Sequence, residues 1–161
     1  MPAGTPPHKR GRRLTAAAHR LAMTRLAVRG NPAFTVSDFE ARRSGPSFTL
    51  DTLRHLQAHR PRARLFLLMG ADSLADFPTW HEPVAISRLA TLVVAARPRS
   101  APPAPAAGTR GRSLVVLDNP PVSIASSALR ARARAGLPLR YLVPDAVAAY
   151  IVRHRLYRKG A

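Results

Sequence analysis

One stretch of this chain can bring backbone N–H groups, two hydroxyls and a guanidinium onto a single phosphate: Val122-Ser123-Ile124-Ala125-Ser126-Ser127-Ala128-Leu129-Arg130. It follows an apolar, strand-like run and opens a helix-like one. The unpaired amides of the first turn, Ser126, Ser127 and, one turn on, Arg130 would therefore share a side. An ordinary N-cap serine with a surface arginine has the same spacing, and both readings stand. Pro6-Pro7-His8-Lys9 places two donor or cationic side chains behind a rigid proline pair. That would aim His8 and Lys9 at a triphosphate with little loss of entropy, although a frayed basic terminus reads the same way. Gly70-Ala71-Asp72 closes the apolar run 65–69, at the strand end where open α/β sheets bind ligands. Gly70 would permit close backbone approach, and Asp72 could accept from ribose hydroxyls or cap the next helix. Phe77-Pro78-Thr79-Trp80-His81 carries the single Trp at a proline-held turn. An indole there can stack on a flat heteroaromatic ring or simply pack.

These groups need a frame. Apolar runs at 34–37, 65–69, 91–96 and 114–117 predict four strands, the last three continuous enough to suggest a parallel sheet covered on both faces. Leu14, Ala18, Leu21 and Arg25 fall at helical spacing, as do Leu50, Leu53 and Leu56 behind the capping candidates Ser47 and Thr49. A helix from near Ser126 should stop at Gly136, and a last one should start at Pro144-Asp145 and run through Val147 and Ile151. Such alternation means an α/β fold. Residues 97–112, with Pro98, Pro102, Pro103 and Pro105 among Ala and Gly, predict a flexible connection. The chain opens on a basic, loop-like stretch, without the strand and glycine-rich turn that usually begin a doubly wound sheet.

A length of 161 residues and 46% hydrophobic content predict one domain with a real core. The absence of Cys excludes disulfides, thiolate nucleophiles and Cys-ligated zinc, and agrees with a cytoplasmic setting. No apolar run reaches the roughly 18 residues of a membrane span. A formal charge of +18, mostly Arg, predicts attraction to phosphate-bearing molecules of any kind. With aromatics at 6% and no dense basic block, nucleic acid is expected to bind only non-specifically.

Taken in order, the motifs resemble bacterial nicotinate-nucleotide adenylyltransferases over almost the whole chain. Pro6-Pro7-His8-Lys9 is similar to that family's P-P-H-K, and Gly45-Pro46-Ser47-Phe48-Thr49-Leu50-Asp51-Thr52-Leu53 to its P-S-Y-T-x-x-T-L. Met69-Gly70-Ala71-Asp72-Ser73 with Phe77-Pro78-Thr79-Trp80 resembles its G-x-D and F-x-x-W stretch. Ile124-Ala125-Ser126-Ser127-Ala128-Leu129-Arg130 resembles I-S-S-T-x-I-R, and Tyr141-Leu142-Val143-Pro144 with Leu156-Tyr157 its closing segments.

The resemblance implies a Rossmann-like, doubly wound parallel sheet and transfer of AMP from ATP to nicotinate mononucleotide. Ser47, Thr49, Trp80, His81 and nearby backbone would hold the nicotinate nucleotide. Gly70, Asp72, Ser126, Ser127 and Arg130 would hold ATP. His8, Lys9 and Arg130 would act on the phosphates, with Mg²⁺ arriving on ATP and no metal ligated by the protein itself. A related nucleotidyltransferase with another acceptor, such as phosphopantetheine or nicotinamide mononucleotide, is the alternative enzyme reading. A basic, non-catalytic RNA-associated protein is the alternative from another class. Homo-oligomerisation and the preference between the two pyridine mononucleotides stay open.

The chain departs from the pattern in three substitutions: Phe48 stands where Tyr is usual, His81 where Tyr is frequent, and Ala125 where the signature has its first Ser. Nothing matches the family's opening G-G-x-F-D-P-x-H-x-G-H. The expectation is therefore a domain lacking its first strand and helix, with Met1 an internal start or a truncated reading frame, two bare sheet edges and impaired turnover.

Overall fold

The computed structural model describes residues 1–6, 14–95, 114–120 and 122–158. The expectations for Pro7, His8, Lys9 and the connection 97–112 fall outside these residues. The chain forms two compact units, one of Phe48–Ser123 and one joining Met1–Ser47 to Ile124–Ala161.

The first of these holds α3 (Thr49–His59), β1 (Leu65–Gly70), α4 (Ala71–Asp76), a single 3₁₀ turn (Phe77–Thr79), α5 (Pro83–Leu89), β2 (Ala90–Ala95) and β3 (Leu114–Leu117). The strands form a parallel sheet in the order β1-β2-β3, with Leu67 opposite Leu92 and Leu92 opposite Leu114. Leu65, Leu67, Met69, Leu92, Val94 and Leu114 turn one face toward Leu50 and Leu53 of α3, Leu74 of α4, Phe77 and Ile86 of α5. That burial drives the unit's folding.

On the opposite face Thr91, Val93 and Ala95 of the central strand β2 are half-buried, and the two outer strands are more open. Phe66, Leu68, Val115 and Leu117 point the other way and are exposed. All three helices of the unit lie against one side, and strand composition alone cannot tell which face a helix will cover.

The second unit contains α1 (Ala17–Ala27), α2 (Phe39–Arg42), α6 (Ser126–Arg134) and α7 (Asp145–Arg153). Its small core is Leu139, Val147, Ile151 and Leu156, flanked by Met23 and Leu26 of α1 and Leu129 and Ala133 of α6. Polar and ring contacts supplement it. Arg20 donates from Nε to the Thr15 carbonyl (2.9 Å) and from its terminal nitrogens to the carbonyls of Ala3 and Gly4. His19 Nδ1 meets the Tyr150 hydroxyl at 2.9 Å, and the His154 ring stacks on Tyr150. Gly4 is required where it stands: a Cβ there would lie 2.2 Å from the Glu40 carbonyl oxygen.

Helix ends follow the sequence closely. Gly136 adopts φ +71° just past α6, and Pro144 precedes α7 with Asp145 in its first turn, where a carboxylate complements the helix dipole. Residues 34–37, expected as a strand, are not one. Asn31 Oδ1 accepts from Ala33 N–H, Phe34 N–H donates to the Asn31 carbonyl, and Ser37 Oγ accepts from Phe39 N–H. These local bonds tie both ends of the run into turns, in competition with any ladder, and Phe34 is exposed. The first helix begins at Ala17, after Leu14 rather than at it.

Candidate active site

In the sheet-containing unit, Gly70 ends β1 and serves as N-cap of α4 with an extended backbone, φ −83° and ψ 164°. Asp72 sits in the first turn of that helix rather than at its cap. There its carboxylate complements the positive end of the helix dipole at the carboxyl end of a parallel strand. Past the end of α4 the chain tightens into the 3₁₀ turn. Trp80 N–H donates to the Phe77 carbonyl (3.0 Å), and the indole leans on the buried Phe77 ring, centroids 5.5 Å apart at 58°. Both sequence readings of Trp80 are compatible with this, because packing on Phe77 uses only part of a half-buried indole.

Thr49 is the first residue of α3, and Phe48 is its N-cap residue with no side-chain capping bond. Phe48 and His81 lie ring against ring, centroids 4.4 Å apart at 33°. His81 Nε2 is 3.4 Å from Glu82 Oε1, and the Arg54 guanidinium is 3.8 Å from Glu82 Oε2.

In the helical unit, Ser47 does not cap α3 as its spacing suggested. Its hydroxyl accepts from the N–H groups of Gly4 (3.0 Å) and Thr5 (3.3 Å), while its own N–H donates to the Thr5 carbonyl (3.0 Å). Ser47 thus fixes the chain just before Phe48. At α6 the N-cap residue is Ala125, extended at φ −104° and ψ 136°, and no side chain caps the helix. Ser126 and Ser127 occupy the first turn and Arg130 follows one turn later, all three exposed. The ordinary serine-cap reading is therefore not what forms. The amides of the first turn have no side-chain acceptor at the helix cap. Among the described residues no group of three or more His, Asp or Glu side chains is arranged to hold a metal, and no helix is long and apolar enough to cross a membrane.

Sequence reasoning missed Phe48 as a ring partner, and it missed Glu82 and Arg54 altogether. The available signal was Glu82-Pro83, since a proline pushes the residue before it out of the right-handed helical region.

A parallel three-stranded sheet with α3, α4 and α5 packed on it defines an α/β protein. Residues 1–132 match the cytidylyltransferase-like family. A probable nicotinate-nucleotide adenylyltransferase of Thermomicrobium roseum is 47% identical over 98% of this chain and 76% of its own length. Its counterpart from Symbiobacterium thermophilum is 45% identical, over 99% and 80%. The solved nicotinic acid mononucleotide adenylyltransferase of Plasmodium falciparum, complexed with NaAD, shares the fold at a TM-score of 0.73 and 17% identity, covering 92% of this chain and 77% of that one. The chain belongs to the nicotinate-nucleotide adenylyltransferases, within the cytidylyltransferase-like nucleotidyltransferases.

Proposed function

We propose that this chain joins the adenylyl group of ATP to nicotinate mononucleotide, giving deamido-NAD and pyrophosphate in NAD biosynthesis in the cytoplasm. The observation that carries the reading is the identity of 47% with a nicotinate-nucleotide adenylyltransferase across nearly the entire chain. A phosphate oxygen of the mononucleotide attacks the α-phosphorus of ATP in line. A new P–O bond forms as the bond to the bridging oxygen of pyrophosphate breaks, and the charge leaves on pyrophosphate. No protein nucleophile takes part, so rate comes from positioning and charge neutralisation.

Each candidate residue has a role in that scheme. The open start of α6 with Ser126, Ser127 and Arg130 takes phosphate oxygens, and His8 and Lys9 neutralise the departing pyrophosphate. Gly70 and Asp72 receive the nucleotide at the end of β1. Ser47, Thr49, Trp80 and His81 take the nicotinate nucleotide, with the indole against the pyridine ring. Mg²⁺ is the ion we assign, entering as the ATP complex and lowering the charge on the phosphates.

The test is pyrophosphate release from Mg·ATP with nicotinate mononucleotide, nicotinamide mononucleotide or phosphopantetheine as acceptor. It is run on this chain and on a version preceded by G-G-x-F-D-P-x-H-x-G-H. The expected outcome is release driven by nicotinate mononucleotide, reduced about 100-fold or more by Arg130→Ala. Faster release with phosphopantetheine would overturn the acceptor assignment.

A further inference from the structure

The helical unit holds a cleft that none of the roles above uses. It lies at the far end of α6 from Ser126, bounded by Ala133, the chain 136–140 and α7, and its volume is about 290 Å³. Its walls are fixed by the way both helices end. Beyond α6, Gly136 N–H donates to the Ala133 carbonyl (3.2 Å) and Leu137 N–H to the Arg132 carbonyl (3.0 Å). The Arg132 guanidinium reaches on to the Pro138 carbonyl at 3.1 Å. Beyond α7, Leu156 N–H donates to the Ile151 carbonyl at 3.0 Å. Walls tied by such bonds are formed before anything enters, so little ordering is left for a ligand to bring about.

The lining is apolar. Leu139, Ile151 and Leu156, the buried side chains of this unit's core, also line the cleft. Ala148 and Val152, four residues apart on α7, add the next stripe of that helix. Leu137 and Val152 stay 49% and 61% exposed at its edge, and apolar side chains open to water around a formed cavity mark a place for an occupant. The charge is one-sided. Arg140 and Arg158 line the same cleft, both exposed, and among the described residues neither meets a carboxylate. Residues 124–158 carry seven arginines and a single acid, Asp145. The two helix C-termini offset only about half a charge each, so the cleft is electropositive.

We propose that this cleft is a binding site for a small amphipathic anion, a carboxylate on an alkyl chain of about eight carbons. The chain would lie on Leu139, Ile151 and Leu156, and the carboxylate would meet the guanidinium forks of Arg140 and Arg158. Size and charge select that class. At about 30 Å³ per non-hydrogen group the cavity takes roughly ten groups, whereas a docked helix is about 10 Å across. A second copy of the chain would bring a further +18 against the same arginines. The site stands apart from the adenylyl-transfer reading and does not depend on it.

Calorimetric titration of the full chain with octanoate, 1-octanol and acetate at low ionic strength tests this. Octanoate should bind saturably, with acetate showing no saturation and 1-octanol binding about fivefold more weakly, the margin that two exposed ion pairs supply. Ala149→Leu, which narrows the cleft and leaves every charge in place, should weaken octanoate about tenfold. The double variant Arg140→Gln/Arg158→Gln should bring octanoate down to the level of 1-octanol and leave 1-octanol unchanged. Undiminished octanoate binding in Ala149→Leu would mean adsorption on surface charge at large, and overturns the site. Should that variant not fold, the double variant decides alone, because it alters only exposed side chains: an undiminished preference for octanoate over 1-octanol overturns the proposal. Absence of saturable octanoate binding to the wild type overturns it as well.

Discussion

Leu50, Phe77 and Val94 in the sheet-containing unit are fully buried, and Leu74 and Ile86 nearly so, whereas Leu139, Val147, Ile151 and Leu156 in the helical unit each keep 6–9% of their surface in water. The first unit is held by an apolar layer under one face of a sheet. The second compensates for a thin core with directed bonds: Arg20 onto three carbonyls, the Ser47 hydroxyl onto two amides, His19 onto Tyr150. Burial is non-directional and tolerates exchange of shape, while hydrogen bonds fix particular atoms and fail when one partner is removed. The two units should therefore respond to different kinds of damage.

The sharpest probe of the apolar unit is Phe77→Ala, which empties a fully buried aromatic site that also supports Trp80. It should lower the unfolding free energy by about 3–5 kcal/mol, read from urea denaturation. A loss under about 1 kcal/mol would mean the core is not what holds the sheet. Next comes Arg20→Met, which keeps most of the side chain's bulk and removes its donors. A loss of about 2 kcal/mol is expected, with faster hydrogen exchange at the Gly4 and Thr5 amides. Unchanged exchange there would erase the contrast between the two units. The smallest effect belongs to Glu82→Gly. Relief of the left-handed backbone there, φ 51° and ψ 60°, set against the greater freedom of glycine in the unfolded chain, should stabilise the protein by about 0.5 kcal/mol.

Elements marked by continuous apolar runs or by terminal punctuation were legible in the sequence. The three strands of the sheet and the stop at Gly136 are where composition put them, because nothing local competes there. Residues 34–37 misled because Asn31 and Ser37 offer the backbone nearer partners than another strand could. The family was legible through the order of its motifs. The partners within the site were not: Ser47 bonds residues more than forty positions away, and Phe48 meets His81 with α3, β1 and α4 between them in the chain. Such pairings are set by tertiary packing, which spacing along the chain does not encode.

The sheet-containing unit is one uninterrupted stretch of chain, and the helical unit is assembled from both ends. On a ribosome these have different timetables. All of Phe48–Ser123 emerges before α6 and α7, the partners of α1, leave the ribosome. At about 5–20 residues per second, α1 waits several seconds for α6 and α7. During that interval Arg20 and the Ser47 hydroxyl can already engage Ala3, Gly4 and Thr5, whose chain precedes them. The directed bonds of the helical unit thus gather its opening residues early, and its thin core closes last.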